Sequence, residues 1–173
     1  MNEIEIGLGE KEVNEIAEQL RLFLSGVTTY KDIMGLQDSH LETIYSMAYD
    51  FYRSNKFDKA EELFKGLCLL NPRCHKFWMG LAACVQMQKR FDKAMEVYGF
   101  AIAVEAMNPA PFLYIADCAL GLKNLEGAIA SLNLGCEVME STNTHTTKHK
   151  ALYDKAKQRL SVLEGLEKSK EIL

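Results

Sequence analysis

The chain has 173 residues, 48% of them apolar and 25% charged, enough for one domain with a sizeable core. Three prolines and eleven glycines exclude a low-complexity chain, and no apolar run approaches the roughly 18 residues of a membrane span. A net charge of -4 and a pI near 5.6 argue against a general nucleic-acid binder.

The chain opens on Met1-Asn2-Glu3-Ile4-Glu5, without the cationic and apolar stretches of a secretory signal, so a cytosolic protein is expected. Gly7-Leu8-Gly9 follows no strand and has no third glycine in phase, so it is no dinucleotide loop. Val13, Ile16, Ala17, Leu20 and Leu24 predict an amphipathic helix ending near Gly26, with a short turn from Tyr30 to Leu36. Asp38-Ser39 then leads into a repeated region, and Ser39-x-x-Glu42 matches a capping box.

The repeat has a period of 34 residues. Phe57-Asp58-Lys59-Ala60 returns as Phe91-Asp92-Lys93-Ala94 and as Leu125-Glu126-Gly127-Ala128. Four positions after each alanine stands a bulky residue, Phe64, Tyr98 or Leu132; twelve before stands another alanine, Ala48, Ala82 or Ala116; sixteen before stands Ile44, Trp78 or Phe112. This spacing resembles the tetratricopeptide repeat. Each copy divides into two helices of about 14 residues, at Ser54-Asn55-Lys56, Gln88-Lys89-Arg90 and Lys123-Asn124. Small residues let paired helices approach, and a single hairpin cannot bury its apolar face alone, so copies stack.

The expected fold is therefore all-α: a solenoid of three helix-turn-helix repeats at 41-74, 75-108 and 109-142, in one domain with an N-terminal helical segment over 1-40 and a C-terminal capping helix over 147-170. Pro109 and Pro111 suit the first turn of the third repeat. Beyond Ser141-Thr142-Asn143-Thr144, the residues Leu152, Ala156, Leu160, Leu163 and Leu166 recur at helical spacing. Residues 1-20 carry six Glu and one Lys, and 145-173 carry seven Lys or Arg and four acids. That asymmetry reads either as head-to-tail contact between molecules or as solvated surface.

In copy one the repeat uses Ile44, Met47, Ala48 and Phe51 for its own core. Tyr45, Tyr49 and Tyr52 then form a separate stripe at i, i+4 and i+7. In the repeat's geometry such positions line the concave side, where copy two places Met79, Ala83 and Gln86, and copy three Leu113, Asp117 and Leu120, with Tyr114 alongside. A lightly charged groove of tyrosine, methionine and leucine suits an extended apolar segment. The alternative is that the tyrosines pack against the N-terminal helix of the same chain.

The stretch Ser25-Gly26-Val27-Thr28-Thr29-Tyr30-Lys31-Asp32-Ile33, the run from Ile44 to Tyr52, Gly80-Leu81-Ala82-Ala83-Cys84, Tyr98-Gly99 and Ala116-Asp117-Cys118-Ala119-Leu120 carry a sharper likeness. Over roughly residues 23-140 the chain resembles the class II chaperones of bacterial type III secretion, which are built on three tetratricopeptide repeats. The resemblance implies a cytosolic chaperone that holds hydrophobic translocator proteins soluble and secretable. It implies a partner segment of Pro-x-Leu-x-x-Pro type lying extended in the groove. Tyr45, Tyr49, Tyr52, Met79, Ala83 and Leu113 would form its pockets, with Gln86 and Asp117 as hydrogen-bonding groups. It also implies a homodimer formed through N-terminal elements.

Other classes find less support. His75 follows Cys74 without a placed third group, Cys68-x5-Cys74-His75 lacks zinc-finger spacing, and no nucleophile elbow or phosphate loop is present, so neither an enzyme nor a cofactor or metal site is expected. His145 and His149 are four apart in a polar joint, a weak metal signal. Five cysteines, an odd number, read as small buried apolar residues rather than a disulfide framework. A co-chaperone that grips a C-terminal carboxylate would carry Lys, Asn and Arg where this chain has Tyr45, Tyr49, Gly80, Ala110 and Tyr114. A generic tetratricopeptide adaptor remains the alternative.

Overall fold

A computed structural model describes residues 10–141 and 147–171, and every element among them is a helix. The elements are α1 (Glu10–Leu24), α2 (Tyr30–Ile33), α3 (Asp38–Arg53), α4 (Phe57–Leu70), α5 (His75–Met87), α6 (Phe91–Val104), α7 (Ala110–Gly121), α8 (Leu125–Ser141) and α9 (Thr147–Glu171). From α3 onward each helix packs on the next, so the chain forms a stack of hairpins with α9 laid on its end. None of these helices is long and apolar enough to cross a membrane. Gly7-Leu8-Gly9, the joint over 142-144 and His145 lie outside the described residues, as do the side chains of Val13, Ile16, His149 and Leu152.

The six repeat alanines, Ala48, Ala60, Ala82, Ala94, Ala116 and Ala128, have no solvent exposure. Each marks a place where helix backbones approach with nothing larger than a methyl group between them. Two apolar clusters grow around these contacts. The first runs through the first two hairpins and includes Phe64, Phe77, Leu81 and Tyr98. The second joins the third hairpin to α9 through Leu113, Leu132, Cys136, Ala156, Leu160 and Leu163. The apolar spacing of α9 thus covers the back end of the stack, although Leu166 points to solvent.

Each hairpin turn uses one device. Asn55, Lys89 and Lys123 adopt left-handed backbone, with φ of 57°, 62° and 61°. The next amide then bonds to the carbonyl five residues back: Lys56 to Phe51 (2.9 Å), Arg90 to Val85 (3.2 Å) and Asn124 to Ala119 (2.9 Å). That closes the open carbonyls of the helix end. Gly26 and Gly35 make the same stop after α1 and α2.

Two local expectations are revised. The α3 helix starts two residues earlier than its sequence indicated, so Ser39 lies inside it and is not its cap. Gln37 is the cap residue, and its amide donates to His40 Nδ1 (3.1 Å). A capping box does occur, but at α2: Thr29 N–H donates to Asp32 Oδ2 (2.8 Å), and Asp32 N–H to Thr29 Oγ1 (3.4 Å). Met47, assigned to the core of the first repeat, is 52% exposed. Its equivalent Leu81 meets the hairpin before it, and Met47 has no preceding hairpin to meet. The exposed Leu20 and Leu24 of α1 do not take that role.

Among the described residues one charged side chain is buried. Glu61 of α4 accepts from Gln88 Nε2 (2.8 Å), pairs with Lys65 (2.7 Å) and meets the Arg90 guanidinium. It ties α4 to the turn of the next hairpin. Burial pushes its carboxyl up, but the bonds from Lys65 and Gln88 and the charges of Lys65 and Arg90 outweigh that, and the net direction is down.

Two outcomes follow from this packing. Ala82→Leu or Ala116→Leu should each overpack a helix contact and cost about 1–3 kcal/mol in urea unfolding; a silent substitution would contradict the close approach described. Glu61→Gln should cost about 1–3 kcal/mol at neutral pH. Glu61 is lowered on folding, so it stabilises above its unfolded pKa of about 4.3 and loses this as pH falls through the folded value. The gap between wild type and variant should therefore close in acid, and a constant gap down to about pH 3 would remove the ionised carboxylate from the account.

Candidate peptide-binding groove

The first helices of the three hairpins face one open groove of about 390 Å³. From α3 come Tyr45, Tyr49 and Tyr52; from α5, Met79, Ala83 and Gln86; from α7, Tyr114 and Asp117. These positions recur three or four residues apart, so each helix offers one stripe. Leu113 and Leu120 are not among them, and Leu120 packs partly buried against the second apolar cluster. Leu113 turns the same way. It is 7% exposed and belongs to the second apolar cluster, where its Cδ1 lies 3.1 Å from the place a side chain on Gly135 of α8 would occupy. One position along a helix is about 100° of rotation, which turns Leu113 toward α8 and leaves Tyr114 on the groove.

The tyrosines form a ladder. The rings of Tyr45 and Tyr49 are 6.4 Å apart at 7°, those of Tyr49 and Tyr52 6.4 Å at 18°, and across the groove Tyr98 stacks on Tyr114 at 5.5 Å and 9°. Tyr45 and Tyr52 are half-buried rather than free, because Phe64 meets Tyr45 edge-on at 5.7 Å and Phe57 meets Tyr52 at 5.5 Å. Burial pushes both phenols up. Tyr49 is 47% exposed and Tyr114 43%. None of the described N-terminal residues lines the groove beside the tyrosines.

Polar groups stand at defined places. Gln86 Oε1 accepts from the Tyr98 hydroxyl (2.7 Å), which leaves the Gln86 NH₂ for a further acceptor. Asp117 pairs with Arg159 of α9. Lys76 sits 4.6 Å above the Tyr45 ring and pairs with Glu42.

Phe64, His75, Lys76, Gly80, Met87 and Tyr98 also line the groove and were not assigned from the sequence. Lys76 stands three before Met79 and Met87 four after Ala83, so helical spacing carries that signal. Phe64 and Tyr98 are core positions of the repeat whose inner faces form the groove floor. Gly80 is required there: a Cβ on it would lie 2.3 Å from Phe64 Cε1.

His75 Nδ1 contacts the Ala101 carbonyl (3.1 Å) and its Nε2 contacts Asn108 (3.2 Å), which binds α5 to the end of α6. Burial pushes the Cys68 and Cys84 thiols up to about 12, far from thiolate. Among the described residues no His, Cys, Asp or Glu cluster of metal-binding form occurs.

The tetratricopeptide repeat family model matches residues 41–72 and 75–108. Chaperone protein SicA of Salmonella typhimurium is 30% identical over 79% of this chain and 81% of its own length. The Yersinia enterocolitica chaperone SycD, solved with a peptide of the translocator YopD, is 27% identical with a TM-score of 0.68, over 76% of this chain and 96% of that one. PcrH, of Pseudomonas aeruginosa, solved with the chaperone binding region of PopD, is 25% identical with a TM-score of 0.70, over 77% and 97%.

The floor of the groove gives a direct test. Gly80→Ala should displace the buried Phe64 ring and cost about 1–3 kcal/mol by chemical unfolding. Adding Phe64→Leu should recover part of that loss, because the two changes share one space. Strict additivity would mean that the glycine is not there for the ring.

Proposed function

This chain belongs to the class II, tetratricopeptide-repeat chaperones of type III secretion, and we propose that it holds hydrophobic translocator proteins through an extended segment seated in the groove. The observation that carries the reading is an open, mostly apolar groove floored by core aromatics, with Tyr49 and Tyr114 left half-exposed. A monomer with no partner has little reason to leave such a surface to water. The solved relatives bound to segments of YopD and PopD support the same use of the fold.

Tyr45, Tyr52, Met79 and Ala83 offer apolar walls for alternate side chains of an extended segment, the Pro-x-Leu-x-x-Pro type expected above. The free NH₂ of Gln86 offers a donor to its backbone carbonyls. The protein acts by binding, without covalent chemistry, in the bacterial cytosol. Each well-buried anchor contributes about 1.5–3 kcal/mol, and the ordering of a flexible segment brings three anchors back to about micromolar affinity. That strength suits a holder that must release its partner for secretion. The exposed Leu24, Val27 and Met34 of the N-terminal segment support homodimerisation through it.

Affinity capture of the tagged protein from its own bacterium, read by mass spectrometry, tests the proposal. Membrane-active secreted proteins should be recovered and should disappear with Tyr45→Ala plus Tyr49→Ala. In isolation, Tyr49→Ala should weaken binding by about 1–3 kcal/mol while circular dichroism stays unchanged. Unchanged affinity in a folded variant would move the binding face elsewhere, and recovery of soluble cytosolic partners alone would indicate a generic adaptor.

A further inference from the structure

The third-repeat end of the groove is finished by a side chain from outside the repeats. Arg159 of α9 reaches across 42 residues of sequence to Asp117 on the groove wall. A guanidinium has five N–H donors. One goes to Asp117, and the others make no bond to a described residue. The ion pair is not what anchors α9, because Ala156, Leu160 and Leu163 of that helix are buried in the second apolar cluster. A part-exposed pair of this kind adds little to stability, so the fold has little need of it.

Arg159 lines, with Gln158, Val162 and Leu163 of the same helix, an open hollow of about 270 Å³, and Val162 is largely exposed. Groove and hollow meet at the Asp117–Arg159 pair. Lys76 of α5, the other cation on the groove, pairs with Glu42 and lies over the Tyr45 and Phe77 rings.

We infer that the segment held in the groove runs past the third repeat onto α9, where Arg159 reads an acidic side chain and the hollow takes an apolar residue next to it. The inference deepens the groove reading and rests on it. A carboxylate is the natural partner for spare donors in a planar fork, since it accepts two of them in parallel. Asp117 acts as the positioning residue: it holds the guanidinium toward the groove and competes with the incoming carboxylate for it. Arg159 is then a specificity-determining residue that selects among apolar segments by what flanks them.

The test uses four synthetic peptides sharing a Pro-x-Leu-x-x-Pro core. Two carry Glu-Leu or Gln-Leu on the N-terminal flank, and two carry them on the C-terminal flank. Binding to the full chain is read by fluorescence anisotropy, with circular dichroism as the control on folding. On one flank the Glu peptide should bind about fivefold more tightly than its Gln twin. Arg159→Gln should abolish that ratio while core binding persists, Arg159→Lys should reduce it, and Asp117→Asn should widen it by freeing the guanidinium. Equal affinity of Glu and Gln twins on both flanks overturns the inference and leaves the groove reading standing, as does a ratio that survives Arg159→Gln. Absence of binding by all four peptides to the folded protein overturns the groove reading and this inference with it. If Arg159→Gln does not fold, an unchanged ratio in both Arg159→Lys and Asp117→Asn overturns the inference.

Discussion

The close approach of paired helices at six methyl groups sets the rest of this structure. With Ala48, Ala60, Ala82, Ala94, Ala116 and Ala128 fully buried, each hairpin is drawn tight enough for the large residues beside the contact to pack sideways into the next hairpin. A larger residue at any of these points would lever two helices apart, and the displacement would pass along the stack. The 34-residue period is thus a geometric requirement, because each hairpin must present the same surface to its neighbour.

The same packing makes the groove. Phe64 and Tyr98 are core residues by burial and groove residues by position. Tyr45 and Tyr52 lean on aromatic neighbours with one side and face the groove with the other. A surface built from the backs of core side chains is fixed before a partner arrives, so less ordering is left for the moment of binding. It also means that Gly80, with no side chain, matters as much to the groove as any residue that has one.

Much of this was legible in the sequence, and the exceptions have physical reasons. The alanines and their bulky companions recur in register, so fold class and hairpins could be read directly. Spacing, laid on the geometry of the repeat it resembles, put the tyrosine stripe, Met79, Ala83, Gln86, Tyr114 and Asp117 on one face. Leu113 went astray because α7 reads Ala-Pro-Phe-Leu-Tyr-Ile-Ala-Asp-Cys-Ala-Leu-Gly, with only one charged residue to mark its outer side. Contacts between distant residues, such as Glu61 with Arg90, Gln86 with Tyr98 and Asp117 with Arg159, depend on which turns and helices meet and leave no local pattern. The left-handed turns were equally hidden, since Lys89 and Lys123 stand where glycine would announce the conformation. Tertiary packing of the hairpins outweighs a local cost of about 1 kcal/mol at each.

The two ends of the stack are unequal. At the back, α9 seals the third hairpin with buried Ala156, Leu160 and Leu163; at the front, Met47 remains open to water. In a linear array, each unit owes much of its stability to the neighbour on either side. A hairpin with one neighbouring hairpin, and with the short α2 laid on α4, is the cheapest to open, so opening is expected to begin at α3 and α4 and proceed toward α9. The tyrosine ladder is carried by that same α3 helix. A ligand lying along the ladder would bridge the loosest hairpin to its firmer neighbours, so occupancy of the groove and integrity of the first repeat become one equilibrium.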